Sequence, residues 1–403
     1  MEPLNQNLLH LDRRVGADLA RWKVAGGGQA LARAMTTDPA RLVDIVGEAG
    51  LRGLGGSGFP VGRKWKMVAR ETGKPDKYLV VNGNEDEPGT LKDRLLLAET
   101  PHQVIEGALI AAYAVGANRV VFYINPDLTS SLAAMKAALA QWNMENISLT
   151  LLPGSGHYIG GEETAVMEWI EGRFPFPRGK PPYPAQSGVL GCPTLINNVE
   201  TLAHLPDIVL KGAEWFKAQG LGKGTGTKLY SLSGDVLYPG VYELPMGVGL
   251  RELIFTHGGG LLSGKPLKAV FTGGPSNTLL TSQDLDVALD FDSLKERGGA
   301  LGTGAMIVVS EGTGIVKRVA EYVRFFAHSS CGQCPSCKTG TATLSRLLDR
   351  IDTGCGTAAD LATLKNLCAL LPGSGRCALI NGAVQLLDSS FRHFQHEYER
   401  SCV

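Results

Sequence analysis

Apolar and polar positions over residues 78–172 follow two different periods. Residues 78–81, 119–124 and 149–152 are short apolar runs with the look of buried strands. Residues 104–115 and 130–142 between them carry apolar side chains at helical spacing. Strand, helix, strand, helix, strand predicts a βαβαβ unit built on a parallel sheet. A helix-like stretch, 162–171, follows a glycine loop. The proline-rich segment 173–186 must then run extended, because proline blocks helix.

The period changes further along. Residues 228–236 and 240–247 form two runs joined through Tyr238-Pro239-Gly240 and followed by the helix-like 249–255, which predicts a small β-grasp (ubiquitin-like) domain. Residues 305–309 add one more strand. From residue 315 the pattern is helical, with breaks expected at 339–340, 352–356 and 372–375, so four helices are expected. The expected division is an α/β domain with an N-terminal helical extension over 1–227, a β-grasp domain over 228–312 and a helical domain over 313–403.

With 403 residues and 44% hydrophobic content, the chain can build two or three cores. Its 39 basic and 39 acidic residues cancel, so bulk charge favours no polyanion, and no nucleic-acid partner is expected. The N-terminal stretch lacks the apolar core of a signal peptide, and no segment approaches the roughly 18 uninterrupted apolar residues of a membrane helix. A cytoplasmic protein without membrane insertion is expected, at most seated on the cytoplasmic face of a membrane complex.

Three of the eight cysteines fall within seven residues. Cys331, Cys334 and Cys337 are spaced C-x2-C-x2-C at the junction of two helical segments. Three converging thiolates call for a metal, and iron–sulfur clusters of the cubane type take four cysteines. Thr341 stands where a ferredoxin would place its next cysteine. Cys377 is the candidate fourth ligand, with Cys355 and Cys368 as rivals; the second of these lies in an apolar helical stripe where a cysteine is an inert core residue. The alternative for the whole group is a structural zinc, whose usual signature is two separated CxxC pairs. Cys192 and Cys402 read as structural or incidental.

Gly53, Gly55 and Gly58 satisfy G-x-G-x-x-G, but a helix precedes them where a Rossmann fingerprint demands a strand. What remains is a glycine-rich loop followed by Arg63, Lys64 and Trp65, able to cradle a phosphate or lie under a planar ring. A tight surface turn is its bland alternative. Directly after the first strand comes Asn82-Gly83-Asn84-Glu85-Asp86-Glu87. Such acids are usually solvated, yet at the carboxyl end of a strand they occupy the crevice where ligands bind. Glu162 and Glu163, after Gly160-Gly161, open a helix, where the dipole alone would favour them.

In order, GLRGLGGSGFPVGRKW, NGNEDEPGTLKDR, YIGGEETAVMEWIEG, KPPYPAQSGVLGCPTLINNVETL, SGDVLYPGVYELP, SCGQCPSCKTGT and CALINGAVQ resemble the flavoprotein subunit shared by complex I, NAD-linked formate dehydrogenases and NAD-reducing hydrogenases. The resemblance runs from about Gly50 to Tyr398. It implies a Rossmann-like FMN/NADH domain, a β-grasp domain of the SLBB type and a four-helix bundle carrying a [4Fe-4S] cluster. FMN would be held by Gly53, Gly55, Gly56, Lys64, Asn82, Glu85, Tyr158, Gly161, Glu162, Glu163, Asn197, Asn198 and Thr201. NADH would meet Phe59, Glu87, Tyr158, Glu163, Lys180 and Tyr183. Cys331, Cys334, Cys337 and Cys377 would hold the cluster.

The implied reaction is an NADH dehydrogenase (diaphorase) step, in either direction: hydride passes between NADH and FMN, and electrons move singly to the cluster. No side chain need act as acid or base, since the cofactor carries the chemistry. The chain contains no [2Fe-2S] domain, so a thioredoxin-like [2Fe-2S] subunit within a larger redox complex is the expected partner. Glu87 facing the adenosine ribose would repel a 2′-phosphate and favour NADH. The chain departs from the family at Asn84 (usually Asp), Asp86 (Ser), Gly160 (Cys) and Met67 (Phe). Rival readings are a binding module stapled by a four-cysteine zinc, the flavoprotein of an ion-pumping ferredoxin complex and a degenerate structural subunit.

Overall fold

Strand β1 (Tyr78–Gly83) lies inside a four-stranded sheet ordered β3-β2-β1-β4, with β2 Arg119–Ile124, β3 Ser148–Pro153 and β4 Thr194–Asn198. Every pairing is parallel, so all carboxyl ends share one edge, and the register sets Asn82 directly beside Asn198 there. The structure is a computed structural model describing residues 7–262 and 264–402; the first six residues of the N-terminal stretch lie outside it. The crossover helix Pro101–Val115 is apolar on nearly every side. It is sealed because the sheet, the helix Val199–Ala203 and the N-terminal helices all pack on it.

A second, five-stranded sheet is ordered β6-β5-β9-β7-β8, with β5 Thr227–Gly234, β6 Gly240–Pro245, β7 Leu267–Thr272, β8 Leu279–Thr281 and β9 Ala305–Ser310. Only β5 and β9 pair in parallel. Alternation along β7 and β9 serves two cores at once. Val270 and Val308 face the domain's own interior with Tyr230 and Leu253. Ala269, Phe271 and Val309 face the opposite way, onto Val319, Val323 and Leu386 of the C-terminal helices. The second sheet also pins the start of the chain: the buried Glu243 carboxylate accepts the backbone N–H groups of Asn7, Leu8 and Leu9 at 3.0, 2.9 and 3.0 Å.

Four helices close the chain: Ile315–Ser329, Pro335–Asp352, Ala358–Leu370 and Leu379–Arg400. The break expected at residues 339–340 is absent. Gly340 lies inside the second of these helices because it is a packing residue, where a Cβ would stand 2.9 Å from the Leu371 methyl groups. Strands β4, β7 and β8 carried no strand expectation, being short or irregular runs. The helix-like 249–255 is a π-helical segment, Glu252–His257. None of the described helices is long and apolar enough to cross a membrane.

Candidate functional site

The carboxyl edge of the parallel sheet opens into a pocket of two lobes. The first, with a cavity volume of ≈ 520 Å³, is lined by Gly55, Gly56, Asn82, the turn Asn84–Glu87, Lys92, Asp93, Tyr158 and, from the other domains, Asn277, Thr303 and Cys377. The second, ≈ 620 Å³, is lined by Gly53, Phe59, Lys64, Met67, Glu163, Lys180, Tyr183 and Asn197. Gly55, Ser57, Asn82, Gly161, Glu162 and Asn198 line both. These six therefore form the seam along which one ligand can span the two lobes.

Local chemistry fixes this seam. Asn82 donates from Nδ2 to the Gly161 carbonyl at 2.9 Å, and its Oδ1 accepts the Asn84 N–H. Asn198 Nδ2 donates to Asp93 Oδ2 at 2.6 Å. Gly55 approaches Asn198 so closely that a Cβ would sit 2.9 Å from the asparagine Cβ. The loop is tied at Leu54, whose N–H donates to the Thr201 hydroxyl at 2.9 Å. Thr201 is fully buried and supports the loop from behind, lining neither lobe.

The acidic turn is committed residue by residue. Glu85 accepts the N–H groups of Asp93 and Arg94 at the start of the helix Lys92–Glu99, and the Arg94 guanidinium as well. Burial, with Asp93 beside it, pushes its carboxyl up. Asp86 accepts from Asn125 at 2.8 Å. Glu87 accepts the Tyr158 hydroxyl at 2.6 Å and the Ser276 N–H at 3.3 Å. Burial raises both the Glu87 carboxyl and the Tyr158 phenol. Glu87 thus belongs to the first lobe, apart from Phe59, Lys180 and Tyr183.

In the second lobe Glu163 sits between two lysines, with Lys64 Nζ at 3.4 Å and Lys180 Nζ at 2.5 Å. Burial pushes its carboxyl up, but the two cations more than offset this and its pKa is lowered. Glu162 caps the helix Glu163–Ile170 and also meets Lys180 at 3.1 Å. Phe59, Met67 and Tyr183 give the rim an exposed apolar face, with Arg63 over the Phe59 ring.

Two of the four departures find partners, and a third is accounted for by packing. Asn84 donates to the His157 carbonyl at 3.3 Å, a contact the family's aspartate could not make. Asp86 has Asn125. The space a side chain at Gly160 would need is filled by Ser155 Oγ and the Tyr123 hydroxyl, 2.1 and 2.9 Å from a Cβ built there. Met67 lines the second lobe, and nothing in its surroundings explains the exchange for phenylalanine.

Cys331, Cys334, Cys337 and Cys377 ring one small void where the first two C-terminal helices meet the start of the fourth. Among the described residues no three His, Cys, Asp or Glu side chains are grouped tightly enough to grip a single metal ion. The rivals stand elsewhere: Cys355 is exposed, and Cys368 is buried in the helix Ala358–Leu370. Ile159, Cys377 and Leu379 line both this void and the first lobe. One layer of side chains therefore separates the two compartments.

The glycine cradle, Lys64 and the asparagine seam suit a phosphorylated planar cofactor. The cradle needs its glycines: a Cβ at Gly55 would meet Asn198 at 2.9 Å, and one at Gly161 would meet Asn84 Nδ2 at 3.2 Å. Fold and site together define a subunit of the redox class, in which a pocket suited to a nucleotide cofactor adjoins a void ringed by four cysteines.

Residues 46–207 match the family model described as the Nuo51 FMN-binding domain, and residues 317–401 match the NADH-ubiquinone oxidoreductase-F iron-sulfur binding region. The chain is 41% identical to the second NADH-quinone oxidoreductase F subunit of Rhizobium meliloti (strain 1021), over 98% of each chain. It is 40% identical to the NADP-reducing hydrogenase subunit HndC of Solidesulfovibrio fructosivorans, over 93% of this chain and 78% of that one. A crystal structure of an NAD+-reducing [NiFe]-hydrogenase in the H2-reduced state superposes with a TM-score of 0.86 at 33% identity, covering 99% of this chain and 67% of that chain. The chain belongs to the family of NADH-quinone oxidoreductase F subunits. It is an oxidoreductase module that works with NAD(H), FMN and a [4Fe-4S] cluster, which sets aside the zinc-module and degenerate-subunit alternatives.

The residues that sequence reasoning passed over are Ser57, Lys92, Asp93, Asn277 and Thr303. Lys92 and Asp93 stood inside the quoted NGNEDEPGTLKDR without being given a role; Asn277 and Thr303 are distant in sequence and carry no local signal.

Proposed function

We propose that FMN lies along the seam between the lobes, with Gly53, Gly55, Gly56, Lys64, Asn197 and Asn198 at its phosphate-bearing part. Asn82, Glu85, Tyr158, Gly161, Glu162 and Glu163 stand around the remainder, and Thr201 acts through the loop. NADH enters over Phe59, Lys180 and Tyr183 in the second lobe, and Glu87 with Tyr158 closes the far side. When bound, FMN supplies the exchange between a hydride donor and a one-electron carrier. The chain's residues orient the two partners and keep water from the seam. The [4Fe-4S] cluster is held by Cys331, Cys334, Cys337 and Cys377. The observation that carries this reading is the shared wall of Ile159, Cys377 and Leu379, which gives electrons a one-residue path out of the flavin lobe.

The strand order β6-β5-β9-β7-β8, with its single parallel pair, supports a β-grasp domain over 228–312. The helices after residue 313 are read as a four-helix bundle, and residues 1–227 as a Rossmann-like FMN/NADH domain. The electron acceptor beyond the cluster is a thioredoxin-like [2Fe-2S] subunit of a larger complex on the cytoplasmic side. Anaerobic purification with flavin and iron analysis tests the whole scheme. NADH should bleach the flavin band and produce the paramagnetic signal of a reduced cluster; bound flavin that NADH leaves oxidised would refute it.

A further inference from the structure

A chain of buried charges runs beneath the first lobe. Lys92 Nζ donates to Asp93 Oδ1 at 2.7 Å and to Asn198 Oδ1 at 3.0 Å, and stands 3.1 Å from Glu200 Oε2. Glu200 Oε2 also meets Lys228 Nζ of β5 at 3.2 Å, while its Oε1 accepts the Leu229 N–H at 2.7 Å. Lys228 in turn reaches the Leu54 carbonyl of the glycine loop at 3.4 Å. The side chains of Lys92, Asp93, Glu200 and Lys228 are at most 5% exposed. Desolvating such ions is expensive, and apolar residues of similar volume often serve stability as well. Four of them below a ligand lobe therefore call for a functional account.

We infer that Lys92, fixed by Asp93 and Glu200, is the positioning cation that sets the reduction potential of the flavin in the first lobe, an inference that rests on the FMN seating proposed above. Three acceptors surround the three N–H bonds of the ammonium group, so it has none left for a ligand and acts through its field and through Asn198. Burial pulls the ammonium pKa down, but Asp93, Glu200 and Glu85 more than offset this and hold the group charged. Reduction brings negative charge onto the flavin. A unit cation in a region of effective dielectric constant about 20 stabilises that charge far more than it would in water.

The test is an anaerobic redox titration of the FMN-loaded protein, followed by flavin absorbance, alongside FMN content and melting temperature. Lys92→Gln should lower the equilibrium constant for flavin reduction about tenfold, which is a shift of about 30 mV for a two-electron couple. Asp93→Asn and Glu200→Gln should each raise it by a similar factor. The double variant Lys92→Gln/Asp93→Asn, which leaves no new unpaired charge, should return near the native value. Shifts of one sign in all variants, or none, would overturn the inference, since a purely structural role predicts no reversal of sign. If Lys92→Gln fails to hold FMN, the upward shifts of the two acid variants and the return of the double variant decide the question. Unmoved potentials together with FMN loss in Gly55→Ala would sink the charge role alone, whereas native FMN binding in Gly55→Ala would sink the seating itself.

Discussion

Substituting Gly55 by alanine should weaken FMN binding, whereas the same change at Gly249 should not. A Cβ at position 55 would stand 2.9 Å from Asn198 Cβ and 3.3 Å from its Cγ, inside ordinary contact. Asn198 has nowhere to retreat. Its Nδ2 is held by Asp93 and by the Asn82 carbonyl, and its Oδ1 by Lys92 and the Glu200 N–H. The glycine loop must therefore move, at an overpacking cost of about 1–3 kcal/mol. If the bound state carries that cost, affinity for FMN falls about 5- to 150-fold. At Gly249, which lines neither lobe, no atom stands within 4 Å of an added Cβ, so Gly249→Ala should bind FMN within about threefold of the native protein, a cost under ~1 kcal/mol. Titrating the deflavinated proteins with FMN, read by quenching of its fluorescence, measures both. Native affinity in Gly55→Ala, or a larger loss in Gly249→Ala, would refute the reasoning.

Three further outcomes follow from particular contacts. Cys377→Ser should lose the cluster, seen as lost iron and visible absorbance, while Cys355→Ser and Cys368→Ser keep it; retention of iron in Cys377→Ser would overturn the ligand set. Gly160→Cys should not graft the relatives' cysteine onto this chain, because Ser155 Oγ occupies its space. A loss of about 1–3 kcal/mol in denaturant stability is expected, and Ser155→Gly in the same chain should recover most of it. Glu243→Ala strands the N–H groups of Asn7, Leu8 and Leu9 and the Thr227 hydroxyl. At about 1–3 kcal/mol for each stranded buried donor, the melting temperature should drop by many degrees, and Glu243→Gln should cost distinctly less.

The βαβαβ layout was legible because β1 and β2 are largely buried apolar runs, β3 keeps a short apolar run although it is a half-exposed edge strand, and the helices keep their period. Strand β4 escaped notice: only Leu195 and Ile196 are apolar in Thr194–Asn198, and its identity as a strand comes from pairing with β1, a contact far away in sequence. The C-terminal helices were legible down to the turn at 352–356, but Gly340 misled. A glycine inside a helix costs about 0.5–1 kcal/mol relative to alanine, which suggests a break until Leu371 is seen packed against it. Periodicity reports burial on one element and is silent about which neighbour demands it.

The acidic turn sets the same limit on the site itself. Glu85, Asp86 and Glu87 are adjacent in sequence, and neither a solvated turn nor a single ligand-binding patch describes them. The chain leaves β1 for an irregular turn, and each carboxylate finds a different partner. Glu85 accordingly caps the helix Lys92–Glu99, Asp86 meets Asn125 beyond β2, and Glu87 ties Tyr158 to Ser276 of another domain. Only the last two depend on residues outside the local motif, and only the third joins two domains across the first lobe. The motif thus lines the first lobe, while partners drawn from both sheet regions decide what each carboxylate does there. Substitutions along this turn should therefore separate by phenotype: helix stability at Glu85, a local change at Asp86 and altered cofactor chemistry at Glu87.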